Sequence, residues 1–227
     1  MSLHNTLGYL YFIVSILEVL RSAWQWSFES YSKPLIIICL LLYYVTAKRE
    51  KNSIFYLTIG ALVFSWLGDF LLMFQDTNPT HFMAGLASFL LAHVFYSAVN
   101  LKLKWVEADE PLLPTQKFRH SLTLILVGVA LVSILSPNLG NLRLPVTIYT
   151  ATIVFMSITA LLRYGYTSIK SFGFIFGGAV TFIISDSLLA IDKFKEPFSS
   201  AGFWVMLTYC LAQYLIIEGI ITHKSIK

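Results

Sequence analysis

The sequence predicts an all-α, polytopic membrane protein. Three observations carry that expectation. Of 227 residues, 57% are hydrophobic and 12% charged, where a soluble domain carries about 25% charged residues. The mean hydropathy is +0.73. The apolar residues also gather into long runs separated by short polar connections. A helix needs about 20 apolar residues to cross about 30 Å of hydrocarbon. Reading between polar and Pro/Gly punctuation places eight spans, at about 4–21, 32–48, 52–74, 81–101, 117–135, 143–163, 170–192 and 199–221. They form one transmembrane domain over 1–227, with no soluble domain.

The first span starts at once and runs of equal strength follow it, so no cleavable leader is expected. The second is short and opens on Lys33-Pro34, proline being suited to a first helical turn. The third ends in "WLGDFLLMFQD", with Asp69 inside the apolar run, and the fourth carries His93 and Tyr96. The connection 102–116, "KLKWVEADEPLLPTQ", is the one long polar link. The fifth span begins on Lys117, Arg119 and His120; the sixth opens near Pro145 and carries Tyr149. The seventh contains Asp186, and the eighth Tyr209 and Gln213. Cys39 and Cys210 both lie mid-run, which suits small core or lipid-facing residues rather than a disulfide framework.

Basic residues set the orientation. On the N-terminal side lie Lys48, Arg49, Lys51, Lys102, Lys104, Lys117, Arg119, Arg163, Lys170, Lys224 and Lys227; opposite lie Arg21, Lys33, Arg143, Lys193 and Lys195. Eleven against five accounts for all 16 Lys and Arg. Both termini are therefore expected in the cytoplasm, with the protein in a bacterial inner membrane. A net charge of +4 without a clustered basic surface argues against nucleic acid as a partner.

At a rise of about 1.5 Å per residue, Asp69 falls about 9 Å and Asp186 about 7 Å outward of the midplane. Glu18 and Lys33 fall about 7 to 10 Å outward, and Tyr149 about 6 Å. His93, Tyr209 and Gln213 lie within about 5 Å of the midplane, where they would floor a cavity. Asp69, Met73 and Asp76 share one face of span three, as Asp186, Ala190 and Lys193 do on span seven. Asp192 turns away from that stripe, toward a solvated helix end. An aspartate in hydrocarbon is disfavoured by roughly 2 to 4 kcal/mol, and a lone one is commonly structural, paired with a lysine. Two at matched depth, with Lys33 the only cation at their level, point instead to a site. His93 alone reads equally well as a hydrogen-bonded core residue, and each tyrosine alone as packing.

A faint internal repeat accompanies the aspartates. Gly68-Asp69-Phe70-Leu71-Leu72 matches Ser185-Asp186-Ser187-Leu188-Leu189, and the following spans carry "LAH" (91–93) and "LAQ" (211–213). An offset of four helices suggests two parallel four-helix repeats around a central cleft. Leucine-rich matches also arise by chance, and the cleft does not require the duplication.

Two carboxylates in a low-dielectric cleft do not both ionise cheaply. One holding a proton beside one that is charged is what a general acid and base require. A catalytic zinc wants three protein ligands, and only His81 and His93 lie near, so no metal is expected. No G-x-S-x-G elbow, P-loop or dinucleotide fingerprint is present, so no cofactor is expected either. Metal-free acid–base catalysis remains, or a proton-coupled carrier or flippase for an amphiphile.

At "GDFLLMFQD…HFMAGLASFLLAHVFYS" and "FIISDSLLAIDKF…YCLAQYLIIE" the chain resembles the YhhN-like lysoplasmalogenase family, with further likeness at "SKPL" and "YTATIVFM". The resemblance covers nearly the whole chain. It implies an eight-helix integral membrane hydrolase that uses water to cleave the vinyl ether of a 1-alkenyl lysophospholipid, giving a fatty aldehyde and a glycerophospho-headgroup. It places Asp69, His93, Tyr149, Asp186, Tyr209 and Gln213 at the family's recurring polar positions. On this reading Asp69 and Asp186 are catalytic. Lys33, His93, Tyr149, Lys193, Tyr209 and Gln213 bind substrate, the lysines at its phosphate, and Glu18 and Asp76 support them.

Overall fold

The computed structural model describes residues 3–24, 32–48, 50–75, 78–104, 107–108 and 110–223. Asp76 lies outside them. Among the described residues there are eight α-helices and no strand: α1 Leu3–Trp24, α2 Ser32–Ala47, α3 Ser53–Leu72, α4 Pro79–Lys102, α5 Pro114–Leu139, α6 Arg143–Leu161, α7 Ile169–Phe194 and α8 Ala201–Thr222. Their starts follow from capping. The Asn52 side chain accepts from the backbone N–H of Phe55, Asn78 from Thr80 with Pro79 in the first turn, and Ser168 from Ser171.

Among the described residues six segments are long and apolar enough to cross a membrane. One of them, 114–161, is two helices, α5 and α6, divided by the 3-10 turn Gly140–Leu142. Gly140 takes a positive φ of 49°, which a side chain would disfavour. α2 is apolar but has 16 residues, about 24 Å of helix, shorter than the hydrocarbon core. The chain is thus a multi-pass membrane protein. α5 runs one turn past the expected end at 135, straight through Pro137. One missing backbone hydrogen bond near a helix end does not stop a helix in an apolar bundle.

Consecutive helices pack as α1 on α2, α2 on α3 and α3 on α4, and again as α5 on α6, α6 on α7 and α7 on α8. Across the halves α4 packs on α6 and α8 on α2, the exchange that two parallel units would show. Two contacts break the pattern: α1 packs on α8, and α5 on α7. The α7–α8 pair is tightest at its glycines. A Cβ on Gly178 would lie 2.9 Å from the Ile216 backbone N and 3.0 Å from the Ala212 carbonyl, and one on Gly219 2.9 Å from the Ile175 N. Without a hydrophobic drive between helices in lipid, such close backbone approach is a main source of association.

At the bundle end where α7 begins, the buried Arg163 guanidinium donates to the Leu103 carbonyl (3.0 Å), Ser171 Oγ (2.9 Å) and Thr167 Oγ1 (3.3 Å). Thr167 Oγ1 also lies 2.7 Å from His223 Nδ1. Burial, then the charges of Arg163 and Lys48, push the His223 imidazole down to about 4.

Two outcomes are expected. Gly178→Val forces backbone against backbone and should destabilise the protein by about 1 to 3 kcal/mol, read as a lowered thermal midpoint in detergent. His223 binds its proton less readily folded than unfolded, so its contribution is full above pH of about 6.5 and is lost as pH falls toward about 4. His223→Gln should flatten the stability–pH curve across that window.

Candidate active site

α3 and α7 each deliver one aspartate near their C-terminal ends, and both line a single cavity with Lys33, Tyr149, Lys193 and Tyr209. The remaining wall is mostly apolar, with Leu72, Phe82, Phe89 and Ile183 among its side chains. Its volume is about 110 Å³, room for several waters or one end of a larger molecule. Gly68, just before Asp69, makes space for Phe89, whose ring carbons lie 2.6 to 3.0 Å from where a Cβ would stand.

Each aspartate is held by a tyrosine from across the bundle. Asp69, only 2% exposed, accepts a hydrogen bond from Tyr209 Oη (2.6 Å), and Lys33 Nζ lies 4.0 Å from its other oxygen. Behind Tyr209, the Gln213 amide donates to its hydroxyl (3.4 Å) and to Ser65 Oγ (3.0 Å), and its carbonyl accepts from Tyr96 Oη (2.7 Å). None of these side-chain atoms is left without a partner. Asp186 accepts from Tyr149 Oη. Because that hydroxyl spends its proton on the carboxylate, it must accept from His93 Nε2, 3.1 Å away, which fixes the histidine tautomer. His93 Nε2 also lies 3.6 Å from Asp186. His93 Nδ1 is buried with no hydrogen-bond partner. A second proton there would be an unanswered buried donor.

His93 and Gln213 were expected to floor the cavity. They lie one layer beneath it, fully buried, and act on it through Tyr149 and Tyr209. Lys193 stands at the wall, donating to Gln75 Oε1 (2.9 Å) with its ammonium over the Phe82 ring. Glu18 departs from expectation. It does not line the cavity but takes Arg21 in two hydrogen bonds (2.7 and 3.1 Å) and the Ser32 hydroxyl. Lys33 is therefore not the only cation at this level, since Arg21 answers Glu18. The i, i+3 spacing of Glu18 and Arg21 signals the pair in sequence, as the i, i+4 spacing of Ser65 and Asp69 does for the site. Asp192 accepts from the Phe198 backbone N–H (3.2 Å), capping the turn after α7 and away from the cavity. Both cysteines are free and buried. Among the described residues, no three His, Cys, Asp or Glu side chains gather where a metal ion would be held.

The YhhN family profile matches residues 28–220, the stretch holding both aspartates and both tyrosines. The chain belongs to the YhhN family. It is 30% identical over 189 residues to human lysoplasmalogenase TMEM86B, covering 83% of this chain and 74% of that one. To human lysoplasmalogenase TMEM86A it is 32% identical over 204 residues, covering 85% and 78%. A lysoplasmalogenase of Mycobacterium tuberculosis is 28% identical over 170 residues, covering 74% and 61%. No solved structure matches. In this YhhN protein Asp69, Asp186, Tyr149 and Tyr209 line one cavity.

Glu18 has no exposure and Arg21 supplies its counter-charge. Arg21→Ala should cost on the order of 3 kcal/mol by stranding that carboxylate, and Glu18→Gln distinctly less. Thermal unfolding in detergent compares them.

Proposed function

We propose that this YhhN protein is an intramembrane hydrolase that cleaves the vinyl ether of lysoplasmalogens, releasing a fatty aldehyde and a glycerophospho-headgroup. The observation that carries the reading is that Asp69 and Asp186 line one cavity, each held by its own tyrosine. The names of its relatives supply the substrate class.

The surroundings suggest different parts for the two carboxylates. Lys33 faces Asp69 and favours its charged form, and the amide behind Tyr209 exchanges no proton. Among the described residues Asp186 has no lysine or arginine partner and backs onto a tyrosine and a histidine. On this reading Asp186 serves as the acid, giving the first proton, and Asp69 as the base.

Asp186 donates its proton to the vinyl carbon distal to the ether oxygen, leaving an oxocarbenium ion that the Asp69 charge stabilises. Water attacks the oxocarbenium carbon and gives a proton to Asp69. In the resulting hemiacetal the C–O bond to glycerol breaks. Asp186 takes the hemiacetal hydroxyl proton, and Asp69 returns its own to the departing glycerol oxygen. Both carboxyls end as they began, and water is the only co-reactant. Lys33 and Lys193 offer the phosphate two cations at the cavity wall. The linkage to glycerol lies near the headgroup–acyl boundary, about 12 to 15 Å from the midplane, close to the level of the aspartates. The excess of Lys and Arg on the N-terminal side supports cytoplasmic termini in a bacterial inner membrane, which would open the cleft to the outer leaflet.

A carrier would need a path from the cleft to the cytoplasmic end, where Glu218 of α8 is a charged group that could line it. Glu218 instead accepts a hydrogen bond from the buried Tyr43 (2.8 Å).

Purified protein in detergent should release aldehyde from a 1-alkenyl lysophospholipid, with Asp69→Asn and Asp186→Asn each slower by roughly 10² to 10⁴. Folded variants that retain full turnover would refute the acid–base scheme. Cleavage of the 1-acyl ester without any cleavage of the vinyl ether would refute the substrate class.

A further inference from the structure

The catalytic cavity, at about 110 Å³, is small beside the 300 to 1,000 Å³ usual for small-molecule sites. It has room for the reacting end of a lysophospholipid and not for its chain. A second cavity of about 410 Å³ lies between α5 and α6, open to the lipid side through exposed Ile125, Val129 and Phe155. Gly128, Thr150 and Val154 line both cavities, so the two meet at those residues.

We infer that the groove between α5 and α6 holds the apolar tail of the substrate, the tail leaving the aspartates for the bilayer between these two helices, beside the contact of Gly128 with Val154. The inference rests on the hydrolase reading above.

Chemistry and geometry both fit an alkyl chain. Apart from Ser133 the groove wall is apolar or threonine, and its threonines turn their hydroxyls inward to their own helix: Thr147 donates to the Arg143 carbonyl (2.7 Å) and Thr150 to the Val146 carbonyl (2.9 Å). Their methyls are left for the groove. From Thr147 to Ile158 the lining runs along α6 for about 16 Å, the direction a chain takes from the glycerol level toward the bilayer centre. At Gly128 the two helices are in contact. A Cβ there would lie 2.8 Å from Val154 Cγ2 and 3.3 Å from Thr150 Cγ2. Even an alanine methyl would press on Val154, and a leucine would intrude on the lining the two cavities share. Among the described residues α5 packs only on α6, α7 and the turn between α5 and α6, so its other side is free for lipid.

Two measurements test this. Wild type and Gly128→Leu are assayed on short- and long-chain 1-alkenyl lysophospholipids, and the long-to-short ratio of kcat/KM is compared. At least a tenfold fall in that ratio is expected in the variant; an unchanged ratio overturns the inference. Independently of turnover, a lysophospholipid with a diazirine at its chain terminus is photocrosslinked to Asp186→Asn protein. Adducts are expected on 125–133 and 147–158, and adducts confined to α3, α4 or α8 overturn the inference. If Gly128→Leu loses all turnover, the adduct map decides. Absence of aldehyde release by wild type would count against the hydrolase reading, whereas the adduct map speaks to the groove alone.

Discussion

A carboxylate inside an apolar bundle persists only if its oxygens are answered by donors that the fold holds in place. In this protein that requirement is met three times in three ways. Glu18 takes a guanidinium and a hydroxyl from its own and the next helix, and so becomes a structural pair. Asp69 takes a tyrosine and a distant lysine. Asp186 takes a tyrosine alone, with a histidine behind it. Only the two less fully compensated acids face a cavity. That incomplete compensation is what leaves them chemically available.

The two tyrosine links are alike in form and differ in their ends. His93 and Gln213 occupy matching places in "LAH" and "LAQ", and each donates to the tyrosine that holds an aspartate. An imidazole can change protonation state and an amide cannot. One arm is therefore suited to a carboxyl that gives and regains a proton, and the other to a carboxylate that keeps its charge. If the halves arose by duplication, this single difference is where the catalytic asymmetry enters. The helix packing carries the same near-symmetry, broken where α5 leaves the bundle to lie against α6 and α7.

Much of this was legible in the sequence because membrane depth is a one-dimensional quantity. Hydropathy bounds the helices, and rise per residue brings Asp69, Asp186, Lys33 and Tyr149 to one level. What depth does not contain is the azimuth of one helix against another. It could not separate Tyr149 and Tyr209, which hydrogen-bond to the carboxylates, from His93 and Gln213, which hydrogen-bond to those tyrosines and sit a layer below. Nor did it assign Glu18 to Arg21, although their spacing holds that information. The fifth span was expected to end near 135, yet α5 continues through Pro137 to Leu139. Gly128 was invisible. A glycine within an apolar run has no signal of its own until the residues opposite it, Thr150 and Val154, are known.

The division of labour between the acids is the claim on which the chemistry turns, and infrared spectroscopy reads it directly. At neutral pH the wild-type protein should show the C=O stretch of one protonated, buried carboxyl. That band should persist in Asp69→Asn and vanish in Asp186→Asn. A band lost in Asp69→Asn and kept in Asp186→Asn would reverse the assignment of acid and base. No protonated carboxyl in the wild type would contradict the account altogether.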